Sequence, residues 1–149
     1  MKVVLQRARE AHVTVSGQVI GSIGKGYVIL LGVAEGDSEK EVDILCDKVV
    51  KLRIFADENG KMNKSLLDIH GEVLVVSQFT LLADTTGGRR PSFIHAAKPD
   101  VAQKLYTYCI QKLKDLGVKK VATGSFGAYM LVELVNDGPV TIVLDTDTF

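Results

Sequence analysis

The segment Leu134-Val135-Asn136-Asp137-Gly138-Pro139-Val140-Thr141, near the C-terminus, limits most sharply what this chain can fold into. Two apolar runs flank an Asp-Gly step, and Gly supplies the positive φ of a tight turn at no steric cost, so the spacing predicts two strands hinged in a hairpin. Pro139 has no N–H to give to a ladder. It must therefore sit at the first residue of a strand or on an edge, and Gly138-Pro139 is one of few bonds here that can be cis. Such a tip offers two backbone carbonyls and a rigid apolar ring to whatever faces it. The same pattern also fits a plain hairpin turn.

Upstream, Val3-Val4-Leu5, His12-Val13-Thr14-Val15, Gln18-Val19-Ile20 and Tyr27-Val28-Ile29-Leu30-Leu31 read as a meander of strands, broken at Ser16-Gly17 and at Gly21 to Gly26. That glycine cluster has the spacing G-x-x-G-x-G and joins strand to strand. A phosphate loop needs a helix N-terminus, so these glycines are turn residues. Ser38-Glu39-Lys40-Glu41 is a capping box, and the helix it opens places Val42, Leu45, Val49 and Leu52 on one face. Asp57 to Lys61 is a polar turn, and Glu72 to Ser77 is a strand apolar enough to be buried on both faces. A polar run from Ala83 to Pro91 leads to a second helix, with Pro99 in its first turn, Asp100 near its N-terminus, an apolar stripe at Val101, Leu105, Tyr108 and Leu116, and Gly117 as its stop. Val118 to Val121, Tyr129 to Val135 and Val140 to Leu144 return to strand. Eight or so strands and two helices, without repeat or linker, predict an α+β fold: a mostly antiparallel, barrel-like sheet with two helices packed on one side.

The 149 residues suit one domain, residues 1–149, able to bury about two thirds of its unfolded surface without disulfide or metal support. With 46% hydrophobic residues the composition is that of a globular protein, and no apolar run reaches the ~18 residues of a membrane span. The first residues are broken by charge after three apolar positions, unlike a signal peptide, so the expected location is cytoplasmic. Cys46 and Cys109 sit far apart in apolar helical patterns and are expected as buried, reduced thiols. Formal net charge is zero, yet residues 86–120 carry eight Lys or Arg against two Asp, a local excess of +6 that fits a nucleic-acid contact or a solvated helix surface.

His12, His70 and His95 have no Cys or carboxylate partner at ligand spacing, and no motif of a serine hydrolase, a zinc protease or a P-loop is present. Ser77-Gln78-Phe79-Thr80 stands out, because two hydroxyls and an amide collect where a buried strand emerges. They can simply hydrogen-bond neighbours at a strand end. As functional groups, the Thr80 hydroxyl could be a nucleophile if a base lay nearby, or the backbone N–H groups of Phe79 and Thr80 could form an oxyanion hole.

Ser77-Gln78-Phe79-Thr80-Leu81 and Asn136-Asp137-Gly138-Pro139-Val140-Thr141, with Arg89-Arg90-Pro91-Ser92-Phe93 between them and Gln6-Arg7-Ala8 before them, resemble the D-aminoacyl-tRNA deacylases of the bacterial and eukaryotic type. The resemblance runs from Met1 to about Leu144. It implies a cytoplasmic homodimer that hydrolyses the ester between a D-amino acid and the terminal adenosine of tRNA, with no metal or organic cofactor, and that also removes glycine. It further implies that the Gly138-Pro139 step is cis and enters the partner subunit's site, where its carbonyls face the substrate's α-carbon and an L side chain collides with backbone. Arg7 resembles the residue that steadies this tip. Phe79, Thr80 and Gln78 are then the catalytic candidates and Ser77, Gly138, Pro139 and Arg7 the substrate-binding ones. Without a base placed beside Thr80 by the sequence, backbone donors at Phe79 and Thr80, aided by the 2′-hydroxyl of the terminal ribose, are favoured over a Thr80 acyl-enzyme.

The chain departs from the family's pattern at Ser125, where an Arg is frequent, at Tyr129, where an acid is, and at Lys64, where an apolar residue is usual. The first two bear on contacts to the tRNA end, and the third on a surface. Two other classes compete. One is a non-catalytic tRNA- or RNA-binding dimer that uses the basic zone, with binding that falls steeply with salt. The other is an ester hydrolase that acts without tRNA.

Overall fold

The computed structural model describes residues 1–149. Its organising element is a long strand, β1 (Lys2–Val15). One edge of β1 pairs with β3 (Gly26–Gly32) along Lys2 to Ala8 and with β2 (Gln18–Ile23) along Ala11 to Val15. The other edge pairs along almost its whole length with β8 (Leu131–Asp145). Two parallel neighbours extend the sheet beyond β3, first β6 (Glu72–Ser77) and then β7 (Val121–Thr123). Each parallel pair needs a crossover, and the two helices supply them: α1 (Glu39–Lys51) lies between β3 and β6 in the chain and α2 (Pro99–Asp115) between β6 and β7. The sheet curls until Gly21 of β2 meets the backbone of Thr123 of β7, which gives a nearly closed, mixed barrel. A separate two-stranded hairpin, β4 (Phe55–Ala56) and β5 (Met62–Lys64), turns through the polar residues Asp57 to Lys61.

The expected double burial of β6 is visible residue by residue. Val73 and Val75 join the larger core under the helices, with Val3, Leu5, Tyr27 and Leu31, whereas Leu74 and Val76 point the other way into a smaller core with Ala8, Val13 and Val28. Ser38 caps α1 with the expected box, and Val42, Leu45 and Val49 are buried beneath it. On α2 the buried stripe is Ala102, Leu105, Tyr106, Cys109 and Leu113. Val101 is exposed and Tyr108 only partly buried, so the expected stripe is displaced by about one residue there: Ala102 turns toward the cavity and Cys109 meets Cys46 of α1. The two cysteines are buried and free, with their Sγ atoms 3.5 Å apart between the helices. Their mutual hydrogen bond and their burial hold the Cys46 thiol well above its ordinary value.

The predicted hairpin at Asn136 to Pro139 does not form. Residues 131–145 are one continuous strand, and the two strands expected at either end of β1 are likewise one. Ala8 and Ala11 keep the inward positions through the charged middle of β1, so a single long edge is available and β8 runs along all of it. The Asp-Gly-Pro step is absorbed as a wide bulge: Gln6 faces Thr141 and Ala8 faces Asn136, so Asp137 to Val140 stand opposite Arg7 alone. The Gly138-Pro139 peptide bond is cis.

Candidate active site

Where β6 ends, the chain turns back over β3. Gln78 donates its N–H to the Leu31 carbonyl at 2.8 Å, and a single 3-10 turn follows at Phe79–Leu82. The turn lies flat on the strand because Gly32 has no side chain. A Cβ there would stand 2.6 Å from Leu82 Cδ2 and 3.0 Å from the Gln78 carbonyl oxygen. As the first residues of a turn, Phe79 and Thr80 have N–H groups that donate to no backbone carbonyl. The Gln78 side-chain amide donates to the Thr80 hydroxyl, and no imidazole, amine or carboxylate hydrogen-bonds that hydroxyl.

Beside this turn opens a cavity of about 680 Å³, largely apolar, into which Ser77, Gln78 and Phe79 project. Its other walls are Val76 and Val132 from the barrel, Phe93 and Lys98 from the segment that precedes α2, and Phe126 to Met130 from the loop before β8. Phe79 meets Phe93 edge to face at 4.9 Å between ring centres, and Phe126 packs against Tyr106 at 5.9 Å. Burial raises the Tyr106 phenol to about 12, so it remains a donor, here to the Val75 carbonyl at 3.0 Å. Tyr129, at 85% exposure, stands at the rim. The Phe126 to Met130 loop and Phe93 were not singled out as site residues from sequence. Phe93 lies in a segment that carries the family resemblance and Tyr129 was tied to contacts with the tRNA end, but tertiary folding alone brings them to the end of β6.

The second cluster lies elsewhere. Arg7 Nε donates to the Asp137 carbonyl at 2.9 Å, its Nη1 donates to the Ile54 carbonyl, and the Asp137 carboxylate is 3.8 Å from Nε. The guanidinium also lies over the Phe55 ring, 6.0 Å from its centre, and Phe55 stacks on Tyr27 at 5.2 Å. Burial pushes the Tyr27 phenol far up despite the pull of Arg7. Gly138 has φ +131°, and a Cβ there would stand 3.0 Å from both Arg7 Nη2 and the Val140 nitrogen, so the bulge as built requires glycine.

Arg7, Gly138 and Pro139 therefore form one group and Ser77, Gln78, Phe79 and Thr80 another. Within one chain the groups do not meet. Arg7 faces Tyr27 and Gln78 bonds to Leu31, a displacement of roughly 13 Å along β3, with three strand spacings, roughly 14 Å, across the sheet. None of residues 136–141 lines the cavity.

Of the eight cations in residues 86–120, Lys112 pairs with Asp43 and Lys120 with Glu72; Arg89, Arg90, Lys98, Lys104, Lys114 and Lys119 make no ion pair. His12 is bonded to Glu133 across the β1–β8 ladder at 2.6 Å, and His95 is 3.9 Å from Asp84, both at the surface. No group of three or more His, Cys, Asp or Glu is placed to hold a metal ion, and no helix is long and apolar enough to cross a membrane.

Comparison with known proteins finds relatives that match the chain over nearly its full length. The chain is 58% identical over 149 residues to a D-aminoacyl-tRNA deacylase of Roseiflexus sp. (strain RS-1), covering 100% of this chain and 96% of the relative. It is 54% identical over 147 residues to one of Bacteroides thetaiotaomicron, covering 98% and 97%. Among solved structures, a c-Myc DNA unwinding element binding protein superposes with a TM-score of 0.92 at 41% identity, covering 97% of this chain and 98% of that one. The model of the D-Tyr-tRNA(Tyr) deacylase family matches residues 4–145, which include both clusters, and the chain belongs to that family.

Proposed function

We propose that this protein hydrolyses the ester of D-aminoacyl-tRNA, releasing the free amino acid and tRNA, and that it leaves L-aminoacyl-tRNA intact. The observation that carries the reading is the family match across residues 4–145 together with a cavity at whose mouth Ser77, Gln78 and Phe79 stand. Attack of water on the ester carbonyl builds negative charge on the carbonyl oxygen, and the N–H groups of Phe79 and Thr80, free of backbone partners, are suited to receive it. The 2′-hydroxyl of the terminal ribose assists the water. The C–O bond to the 3′-oxygen then breaks, leaving a carboxylic acid and a free 3′-hydroxyl. Gln78 holds Thr80 and shapes the mouth with Ser77.

Discrimination falls to Gly138-Pro139 of a partner subunit in a homodimer. The distance between tip and cavity within one chain supports an action in trans, because the tip cannot reach its own site. Backbone carbonyls facing the α-carbon reject an L side chain by collision, whereas achiral glycine escapes that test, so mischarged glycyl-tRNA is also cleaved. The setting is the cytoplasm, where charged tRNA is used, and no cofactor takes part.

A second reading has its own support. Six unpaired cations between Arg89 and Lys119, and the name of the relative at 41% identity, fit a nucleic-acid-binding dimer without turnover. One experiment separates the two: release of D- and L-tyrosine from matched charged tRNAs, at catalytic enzyme concentration with a chelator present. Rapid release of the D-amino acid alone is expected. Bound but intact aminoacyl-tRNA of both kinds would favour the binding reading.

A further inference from the structure

We infer that Gln6 is a positioning residue for stereochemical discrimination, acting by closing the neck of the bulge that carries Gly138-Pro139. The inference rests on the function proposed above. Along β1 only Arg7 separates Gln6 from Ala8, whereas along β8 four residues separate Asn136 from Thr141, so Asp137 to Val140 leave the ladder as a loop within a strand. A segment without ladder bonds can swing unless its two ends are tied together. Gln6 ties them. Its Nε2 donates to Asn136 Oδ1, on the entering side, and its Oε1 accepts from the Thr141 hydroxyl at 2.9 Å, on the leaving side. One planar amide thus uses its donor toward one end and its acceptor toward the other, a division that few side chains can make.

Arg7 holds the same bulge from a different direction, by the Asp137 carbonyl and against Ile54 and Phe55. It restrains the loop's first residue, while the Gln6 bridge fixes the width between the loop's ends. This gives Asn136 and Thr141, which line no part of the cavity, a defined task beside Gly138-Pro139. Gln6 itself is half-buried, outside both hydrophobic cores, so its removal leaves the barrel's packing intact.

The test compares Gln6→Leu, Thr141→Val, their combination and Gln6→Glu for kcat and KM on D- and L-tyrosyl-tRNA, with Tm measured alongside. In Gln6→Leu the ratio of D to L hydrolysis is expected to fall about tenfold through faster L release, as loss of two hydrogen bonds permits. KM for tRNA and Tm stay at wild-type values. Thr141→Val falls similarly, and the double variant falls no further than Gln6→Leu, because both act on one network. Gln6→Glu recovers most of the ratio, since a carboxylate accepts from Thr141 and also from Asn136 once that amide turns over. An unchanged ratio in folded Gln6→Leu overturns the assignment. So does a fall that comes with a lowered Tm or that Gln6→Glu does not relieve, either of which makes Gln6 a structural residue. Absence of D-selective release by the wild-type protein is a different failure: it removes the functional reading, and this inference with it.

Discussion

At the scale of single residues the chemistry turns on what surrounds the Thr80 hydroxyl. A threonine becomes a nucleophile when a neighbouring group takes its proton. Here the Gln78 amide donates to it instead, which engages the oxygen's lone pair, and His95, the imidazole just upstream of α2, is turned to Asp84. Thr80→Ala is therefore expected to keep kcat for D-tyrosyl-tRNA within about tenfold of wild type, because the backbone N–H of residue 80 survives the change. Loss of more than a thousandfold with the fold intact would instead assign the attack to the hydroxyl. The position of this residue was legible in sequence, since polar groups gathered where an apolar strand had to emerge. Its surroundings were not: Phe93 and Tyr129 reach the cavity from distant loops whose local pattern says nothing about where they end.

Elements were legible where their cause is local. Ser38 Oγ accepts from the Lys40 N–H at 3.3 Å, while the Glu41 carboxylate accepts from the Ser38 N–H at 2.8 Å and from its hydroxyl at 2.7 Å, all within four consecutive residues. These hydrogen bonds, the side-chain one first, hold Glu41 below the ordinary carboxylate range. A depressed carboxylate stabilises the fold fully above its unfolded value, and that contribution is lost as pH falls through the lower folded value. Ser38→Ala should thus cost about 1 kcal/mol at pH 7 in urea denaturation, and its deficit relative to wild type should narrow in acid, as pH falls below the ordinary carboxylate range. An equal deficit in acid would detach the cap from Glu41. The Asp-Gly-Pro step taught the opposite lesson. Its residues are those of a hairpin turn, but a turn forms only if its two arms pair with each other, and here the long edge of β1 takes both arms in one direction. The α2 stripe shifted for a related reason: tertiary partners fix which face turns inward, Cys109 against Cys46 of α1 and Tyr106 onto the Val75 carbonyl of β6, where hydrophobicity alone selects Val101 and Tyr108.

At the scale of the whole molecule, the cavity and the tip lie apart. The β8 strand pairs with β1 on one side only, so the edge that carries Gly138-Pro139 faces outward, far from the Gln78 turn of its own chain. If the tip serves the partner's cavity, the two clusters must complement each other between subunits. A chain with Phe79→Pro, which removes the N–H of residue 79 at the first position of its turn, lacks a working cavity but keeps its tip, whereas a chain with Pro139→Ala keeps its cavity and lacks the tip. Mixed and allowed to exchange subunits, these two inactive or unselective proteins form heterodimers in which one cavity, that of the Pro139→Ala chain, receives an intact tip. Random exchange makes about half the dimers mixed, each with one good site of two, so D-selective activity should return to about a quarter of wild type. The measurement is D- against L-tyrosine release before and after exchange. No recovery, with exchange verified by labelled subunits, would place the tip's action within its own chain or outside the reaction, and the geometry of the single chain already makes the first of these hard to build.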